Sequence, residues 1–492
     1  MPKILDRSGP ENPVQKDASA VPVVLAVDLD GTVLRSDLLD ESFLEVLSRD
    51  WRTAFTALIA LSKGRAHLKR FLAEHTQLDI TQLPYNTDVL AFIAARRAEG
   101  QRIALVTAAD QTQAEAVAAH LGLFDEVHGS DGIHNLKGAA KTAFLVDHFS
   151  AQGFDYVGDT LADLPVWAEA QTSIVVSDNT TLLTNVKQNM SRWHHIPLGQ
   201  NQGQALVKSL RPHQWIKNIL IGLPILGAHS LDPLTLMQAA LAFVIFSLMA
   251  SAIYILNDLL DLSSDRAHPR KRHRPFASGA VSLRLGAALG LILLCLAISA
   301  STLLGAGFLS VMLLYAIMTT AYSLSLKQYP ILDITTLAGL YTLRIIAGGI
   351  ATNIPLSMWL LVFSVFFFFA LAAVKRQTEL LDLQNRGEVR AKGRGYHVDD
   401  LPLITQMALA SGYISVLVMA LYINSAQVAE LYSQPMALWV VCPILLYWLS
   451  RMALITHRGQ MHDDPIVFAI KDRTSQICCF GVTLAAIVGI WA

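Results

Sequence analysis

The strongest constraint on the fold is a series of long apolar runs in residues 215–492, separated by short polar loops. We count nine such runs, and most reach the length of about 20 residues that a helix needs to cross a bilayer. Inside a bilayer the backbone must satisfy its own hydrogen bonds, so these runs predict transmembrane helices. Residues 1–200 instead mix charged and apolar segments, which is typical of a soluble domain. The predicted spans lie near residues 215–230, 236–257, 283–304, 306–324, 331–351, 357–375, 403–423, 436–453 and 474–491.

The distribution of Lys and Arg predicts the orientation of these spans. Most basic residues of the apolar half lie in the loops at 258–282, 376–402 and 454–473, and the loops between them on the opposite side contain none. With nine spans, all three basic loops lie on the side of the N-terminal domain. Basic loops favour the cytoplasm. We therefore expect a multi-pass protein of the inner (plasma) membrane with its N-terminal domain and catalytic loops in the cytoplasm.

The segment Asn257 to Pro275 follows directly on an apolar run and is dense in charge. Its carboxylates recur at intervals of three and four residues, which places side chains on one face of a helix. Such acids suit Mg²⁺ that bridges to a diphosphate, and the bases behind them suit the remaining phosphate charge. A solvated loop at a membrane exit is the alternative. The predicted metal ligands are Asn257, Asp258, Asp261 and Asp265, and the predicted phosphate-binding residues are Arg266, Lys271 and Arg274.

Three apolar strands in the N-terminal part end in polar side chains. The first ends at Asp28, the second at Thr107 and the third at Asp159, with Asp163 four residues further on. Open α/β sheets bind ligands at the carboxyl ends of their strands. A carboxylate nucleophile, acids for Mg²⁺, and a hydroxyl and an ammonium group on phosphate together indicate phosphoryl transfer. The ammonium group is assigned to Lys137, with Lys141 one helical turn away as the rival.

These motifs, with DLDGT and GDTLAD as the most specific, resemble those of the haloacid dehalogenase (HAD) superfamily of phosphatases over about residues 20–185. The resemblance implies a Rossmann-like α/β fold, and residues 33–100 would form a helical cap over the active site. A docking domain with weak activity is the alternative. The implied roles are nucleophile for Asp28, general acid/base for Asp30, phosphate binding for Thr107 and Lys137, and Mg²⁺ binding for Asp28, Asp159 and Asp163.

The stretch NDLLDLSSD resembles the first aspartate motif of the UbiA superfamily of membrane transferases. The resemblance implies an all-helical fold in which the acids bind a diphosphate through Mg²⁺ beneath a cavity that opens to the membrane. Further segments are similar to the decaprenyl-phosphate phosphoribosyltransferase branch, over about residues 207–492. In that branch the donor is phosphoribosyl pyrophosphate and the acceptor is a polyprenyl phosphate. These segments are HPRKRHRP, YSLSLK, LRIIAGG and KRQTEL.

A donor with three phosphate groups needs more positive charge than a prenyl diphosphate does. Arg344 lies inside an apolar span, where an unpaired charge is costly, so we predict that it has a function. A structural ion pair, for example with Asp333, is the alternative. Gly348 and Gly349 predict close helix packing beside the cavity, with a backbone break there as the alternative. The other predicted phosphate-binding residues of this half are Lys217, Lys327 and Lys375, and the roles of Asp333, Asp463, Asp464 and Asp472 stay open.

The sequence thus predicts a bifunctional membrane enzyme. The membrane half would transfer phosphoribose to a polyprenyl phosphate, and the HAD-like half would hydrolyse a phosphomonoester, of which that product is one candidate. The alternatives are prenyl transfer to an aromatic acceptor with an unrelated HAD-like activity, and a purely regulatory HAD-like domain. The expected partners are the lipid, the phosphorylated donor and the bilayer, without nucleic acid. The predicted segments are a disordered start at 1–20, an HAD-like domain at 21–185, a linker at 186–206 and an all-α transferase of about nine transmembrane helices at 207–492.

Overall fold

The protein forms two compact units in a computed structural model. The first unit comprises the chain up to Leu206 together with Asp258–Gly286, and the second comprises Val207–Asn257 and the chain from Ala287 onward. The acid-rich loop therefore belongs to the first unit. The predicted disordered start at 1–20 and Asp463 lie outside the described residues. The structure describes residues 23–199, 201–390, 394–461 and 464–491.

The first unit is built on one sheet of six parallel strands. These are β1 Val24–Val27, β2 Ile103–Asp110, β3 Glu126–Ser130, β4 Phe154–Gly158, β5 Ser173–Val176 and β6 Trp193–Ile196. Their order is β3-β2-β1-β4-β5-β6, so β1 lies between β2 and β4. Val27 pairs with Leu105 on one side and Val157 on the other. Asp28 and Asp159, which follow β1 and β4, therefore meet at one edge, as predicted for an α/β fold, whereas Thr107 lies within β2, which continues to Asp110.

Helices of the first unit cover the sheet and form the cap. They are α1 Leu38–Arg49, α2 Trp51–Leu61, α3 Arg65–His75, α4 Thr87–Ala98, α5 Gln111–Leu121, α6 Ala139–His148, α7 Leu164–Glu169 and α8 Thr180–Asn189, and α9 Gln202–Ser209 leads into the second unit. The helices α1–α3 share a small core of their own, around Val46, Ala57 and Leu72. In contrast, Val89 and Ile93 of α4 pack in the core of the sheet.

Two predicted boundaries are corrected by these elements. The cap ends before α4 rather than at residue 100, because helical spacing alone does not reveal which surface a helix covers. The HAD-like domain does not end at 185, because α8 continues to Asn189 and β6 pairs in parallel with β5. The strand β6 is an edge strand with the polar sequence WHHI, so it carries no buried-strand pattern. The linker is correspondingly shorter than residues 186–206.

The second unit is helical. Its elements are the 3₁₀ helix Pro212–Gly222, α10 Leu223–Ala228, α11 Pro233–Leu260, α13 Leu283–Ser301, α14 Ala306–Leu324, α15 Leu332–Ala351, α16 Met358–Asn385, α17 Leu401–Ile423, α18 Ala426–Leu431, α19 Val441–His457, α20 Pro465–Lys471 and α21 Arg473–Trp491. The short α12 Leu262–Ala267 follows α11 in the acid-rich loop. Within the described ranges, eight helical segments are long and apolar enough to cross a membrane.

The first predicted span, near residues 215–230, differs from the other eight. It consists of the 3₁₀ helix Pro212–Gly222 followed by the short α10. A 3₁₀ helix rises about 2.0 Å per residue, more than an α-helix, so the two segments together extend roughly 30 Å. The helical segment was predicted, but its 3₁₀ winding was not. A ninth crossing by this segment stays a prediction.

Gly348 allows α15 to approach the 3₁₀ helix closely. A Cβ at this position would lie 2.1 Å from the carbonyl oxygen of Ile221, and backbone atoms cannot move away cheaply. The same 3₁₀ helix carries Lys217 and Asn218, both buried. Gly348 therefore has the packing role that the sequence predicted for it.

We expect Gly348→Ala to destabilise the protein by about 1–3 kcal/mol, the usual cost of overpacking, and to lower transferase activity by displacing Lys217. Gly412→Ala is the matched control, because a Cβ there meets its nearest atoms at 3.5 Å, an ordinary contact. Thermal unfolding in detergent checks the first effect, and a transfer assay checks the second. Equal melting temperatures of the two variants would contradict the packing role.

Candidate active sites

The first site lies at the carboxyl ends of β1 and β4. Carboxylate oxygens of Asp28, Asp159 and Asp163 lie within 4.8 Å of one another. Burial, together with the charges of Asp163 and Asp28, raises the pKa of Asp159 well above its usual range. A divalent cation would relieve this repulsion, and hard oxygen ligands are those that Mg²⁺ prefers. The three acids that the sequence assigned to a metal are therefore brought together in a suitable arrangement.

The surrounding loops hold these acids in place. Asp163 accepts hydrogen bonds from the Thr160 amide at 3.1 Å and from the Tyr156 hydroxyl at 2.9 Å. Gly31 has a φ of +80°, and a Cβ there would lie 2.1 Å from Oδ2 of Asp159. The glycine of the DLDGT motif thus serves two purposes, since it supplies the left-handed backbone and leaves room for the carboxylate.

The lysine of this site is Lys141. Its Nζ lies 2.9 Å from Oδ2 of Asp28 and donates a hydrogen bond to the Tyr156 hydroxyl at 2.9 Å. Lys141 is only 2% exposed, in the first turn of α6, whereas Lys137 is exposed in the preceding loop. The assignment of Lys137 is therefore corrected in favour of its rival. Gly138, with a φ of +57°, turns the chain between the two, and the spacing did not reveal that turn.

We expect Lys141→Met to lower hydrolysis of a phosphomonoester by roughly 100-fold, comparable to the loss of one charge-stabilising donor. Lys137→Met should retain nearly full activity, because its side chain is exposed, whereas Lys141 is buried against Asp28. Steady-state hydrolysis by the two full-length variants, with their melting temperatures, provides the comparison. The assignment would be overturned by the opposite ranking in correctly folded protein.

The other predicted HAD-like residues also lie at this edge. Asp30 accepts a hydrogen bond from the Leu38 amide at 2.9 Å, and burial, followed by the charge of Asp37, raises its pKa to about 8. A protonated Asp30 suits an acid that gives a proton to a leaving group. Thr107 is buried, and its hydroxyl accepts a hydrogen bond from the Ala109 amide at 3.1 Å.

Sequence reasoning missed one basic residue of the cap. Lys69 on α3 lines a small cavity together with Asp30 and Gln113, and its ammonium group donates to Asn135 Oδ1 at 3.0 Å. Burial lowers the pKa of Lys69. The sequence offered no motif for it, since a lysine on an amphipathic helix is usually a surface residue. The cap thus brings a cation to the active-site cavity.

The acid-rich loop holds its carboxylates around an arginine. Arg274 donates from one nitrogen to Asp258 at 3.0 Å and to Asp265 at 2.6 Å, and partial burial raises the pKa of Asp265. Asp261 lies between α11 and α12. Asn257 Oδ1 is buried and has no hydrogen-bond donor among the described residues. An amide oxygen without a donor is a suitable oxygen ligand for a cation, and Mg²⁺ binding by Asn257 stays a prediction.

Two predicted phosphate-binding residues of this loop, Lys271 and Arg266, differ in their surroundings from each other. Lys271 lies on the 3₁₀ helix Lys271–His273, and its charge acts on Asp265. Arg266 instead forms a buried pair with Glu41 of α1, with nitrogen–oxygen distances of 2.9 and 2.6 Å. Its third nitrogen, Nε, donates to the Ala277 carbonyl at 3.0 Å. All three nitrogens of Arg266 thus bond to acceptors within the first unit, and its assignment to phosphate stays a prediction.

In the second unit, Lys217 and Lys375 share one carboxylate. Their ammonium groups lie 2.8 and 3.2 Å from Oδ2 of Asp464. Burial alone would raise the pKa of Asp464, but Lys375 and Lys217 outweigh it and hold that pKa well below the usual range. A cavity beside them is lined by Tyr341, Lys375 and Asp464. Two predicted phosphate-binding lysines are therefore adjacent. Asp464, whose role the sequence left open, is their shared counter-ion.

Arg344 is buried in the same unit. Its guanidinium donates to Asn218 Oδ1 at 3.0 Å, to the Leu340 carbonyl at 2.6 Å and to the Tyr315 hydroxyl at 3.3 Å. The ring of Tyr341 lies 5.4 Å from Arg344 and 5.6 Å from Lys217. Among the residues that the structure describes, no carboxylate pairs with Arg344. The alternative of an ion pair with Asp333 is therefore excluded here.

Asp333 belongs to a network that sequence reasoning did not identify. Its carboxylate lies 2.6 Å from Arg376 and accepts a hydrogen bond from the Tyr322 hydroxyl at 2.7 Å, and both Asp333 and Arg376 are fully buried. The predicted phosphate-binding residue Lys327 lies close to Asp333 in sequence, on the 3₁₀ helix Leu326–Gln328. Asp472, whose role the sequence left open, pairs with Arg451 at 2.6 Å. The only sequence signal for the network was the adjacent pair of bases in KRQTEL.

Comparisons with known proteins match each half of the chain to the family that its motifs resemble. Residues 218–471 match the UbiA prenyltransferase family, and residues 25–167 match the haloacid dehalogenase-like hydrolases. The chain is 37% identical to the uncharacterized protein y4nM of Sinorhizobium fredii, over 92% of this chain and 88% of that protein. It is 34% identical to the nodulation protein NoeC of Azorhizobium caulinodans, over 57% and 91%. It is 31% identical to a decaprenyl-phosphate phosphoribosyltransferase of Mycolicibacterium smegmatis, over 56% and 90%.

Proposed function

Because this chain belongs to the UbiA prenyltransferase family and carries an N-terminal haloacid dehalogenase-like domain, we propose that it transfers phosphoribose to a polyprenyl phosphate and then removes a phosphate. In the first reaction the bond from ribose C1 to pyrophosphate breaks and a bond from C1 to the lipid phosphate forms. Pyrophosphate leaves. In the second reaction the 5-phosphate of the lipid-linked phosphoribose is hydrolysed.

The observation that carries the first reaction is the excess of positive charge in the second unit. In the part of the chain that the structure describes, Lys217 and Lys375 share the carboxylate of Asp464, and Arg344 pairs with no carboxylate, so three cations face one acid. A buried cation without a carboxylate partner is costly unless an anion compensates it. Phosphoribosyl pyrophosphate carries more negative charge than a prenyl diphosphate, so it matches this surplus better. Relatives named decaprenyl-phosphate phosphoribosyltransferase support the same donor and acceptor.

The residues of the acid-rich loop would orient the leaving pyrophosphate. Asn257, Asp258, Asp261 and Asp265 would hold Mg²⁺, which supplies charge neutralisation to the departing group. Arg274, which now bridges Asp258 and Asp265, would be released to bind phosphate oxygens. Lys271 would add charge from the same loop.

The HAD-like site supports the second reaction. Asp28 would attack phosphorus through one carboxylate oxygen, since Lys141 holds the other at 2.9 Å, and the bond from phosphorus to the sugar oxygen would break. Asp30 would give a proton to the departing sugar oxygen. Water would then hydrolyse the aspartyl phosphate, which releases inorganic phosphate and restores Asp28. Asp159 and Asp163, with Asp28, would hold a second Mg²⁺. We further propose that this domain and the basic loops face the cytoplasm, as the distribution of Lys and Arg predicts.

The proposal is tested with purified full-length protein in detergent. Labelled phosphoribosyl pyrophosphate and a polyprenyl phosphate should yield a labelled lipid. The lipid is separated by chromatography, and its mass is measured by mass spectrometry. A parallel reaction supplies a prenyl diphosphate with an aromatic acid. Product in the second reaction only would establish the competing function, prenyl transfer to an aromatic acceptor.

A further inference from the structure

The first helix of the cap, α1, makes ionic contacts with the acid-rich loop inside the first unit. Arg266 donates two hydrogen bonds to the two carboxylate oxygens of Glu41, and these side chains are only 6% and 1% exposed. Arg284, at the start of α13, lies 2.7 Å from Asp37 and 2.8 Å from Asp40. Two arginines of the loop segment thus meet three acids in the first turn of α1 and at its N-cap.

The backbones approach closely at the same place. Gly279 has a φ of +70°, and a Cβ there would lie 2.6 Å from Cβ of Arg35 and 3.2 Å from its carbonyl oxygen. Phe276 is fully buried, and a Cβ on Gly286 would lie 2.3 Å from its ring. The loop is therefore packed against the residues that precede α1, without room for an additional side chain.

A buried bidentate pair fixes geometry as well as charge. If one partner is lost, the other is left as a buried, uncompensated ion, which the structure can relieve only by moving it to water. Such a movement would carry Asp265, the neighbour of Arg266 in sequence and a partner of Arg274. The position of the predicted metal ligand Asp265 thus depends on Glu41.

We propose that Glu41, assisted by Asp37 and Asp40, positions the acid-rich loop for transfer, so that the HAD-like domain supports the transferase independently of its own hydrolysis. None of the three acids need touch a substrate, so they are positioning residues. Part of this inference rests on the proposed function, because the activity readout is phosphoribosyl transfer. The structural readout described next does not.

The first test compares Glu41→Gln with Glu74→Gln in the full-length protein. The amide keeps the size of Glu41 but leaves Arg266 without its counter-charge, whereas Glu74 forms only an exposed pair with Arg70. We expect trypsin to cut after the bases between Arg266 and Arg274 at least about tenfold faster in Glu41→Gln, with transfer reduced by about 10–100-fold, as for other residues that orient metal ligands. Glu74→Gln should match the wild type in both.

A charge exchange separates positioning from phosphate binding by Arg266. Glu41→Arg and Arg266→Glu should each impair transfer and expose the loop, and the double variant should recover a large part of both. Recovery cannot occur if Arg266 is a phosphate ligand, since glutamate would repel phosphate. Wild-type protease resistance in Glu41→Gln, or a double variant no better than its parents, would overturn the proposal. If the wild type transfers no phosphoribose, the proposed function fails, while trypsin resistance still decides whether Glu41 holds the loop.

Discussion

Asp261→Ala is expected to abolish formation of the lipid product, with a loss of about 100-fold or more, since even outer-shell partners of a metal contribute about 10–100-fold. Asp261 lies where α11 ends and α12 begins, between Asp258 and Asp265. Alanine would remove one of the acids proposed to bind the Mg²⁺ that neutralises charge on the leaving pyrophosphate. Hydrolysis of a phosphomonoester by the HAD-like site should be retained.

The matched control for this variant is Asp382→Ala. Asp382 lies near the end of α16 and pairs with Arg386 while both remain partly exposed, so little depends on it. Transfer is measured as labelled lipid from labelled phosphoribosyl pyrophosphate. Full transfer by Asp261→Ala would remove the acid-rich loop from the proposed site.

Asp28→Asn is expected to leave transfer active and to cause the 5-phosphorylated lipid to accumulate. Asp28 has to attack phosphorus as a carboxylate, and an amide of the same size cannot do so. Loss of a covalent nucleophile should lower hydrolysis by at least about 1,000-fold. Because both domains lie on one chain, the wild type is expected to convert most of the product before it departs.

Mass spectrometry of the lipid product checks this expectation, since the two products differ by one phosphate group. Asp155→Asn is the matched control, on β4 but outside the cluster of acids, where it accepts a hydrogen bond from Gln101 that an amide can also accept. The same phosphorylated lipid from wild type and Asp28→Asn would mean that the HAD-like domain serves another substrate.

The features that the sequence predicted well are those encoded in short, contiguous patterns. The strand ends at Asp28 and Asp159 follow from apolar runs that stop at polar residues, and parallel strands bring such ends together. The predicted end at Thr107 was wrong, because β2 continues to Asp110. The positions of the long helices follow from the length of the apolar runs. Arg344 was singled out because a buried cation in an apolar span is costly, and its function stays a prediction.

The features that the sequence did not predict depend on local turns and on distant partners. Lys137 and Lys141 are equally plausible until the turn at Gly138 places one of them on a helix that faces Asp28. Arg266 belongs to a basic cluster, and only the fold shows that Glu41, far away in sequence, neutralises it. Likewise, the 3₁₀ winding after Pro212 produces no periodicity distinct from that of an α-helix.

Because Asp258–Gly286 groups with the N-terminal residues, expressing the two enzymes as separate polypeptides would divide the first unit. A cut at the covalent linker would leave Arg266 and Arg284 on one product and their acidic partners on the other. Such a separated membrane half would carry a buried arginine without its counter-ion, a defect of about 3–5 kcal/mol. Co-expression of the missing half as a second polypeptide should repair that defect in trans, so the two enzymes would behave as subunits rather than as interchangeable modules.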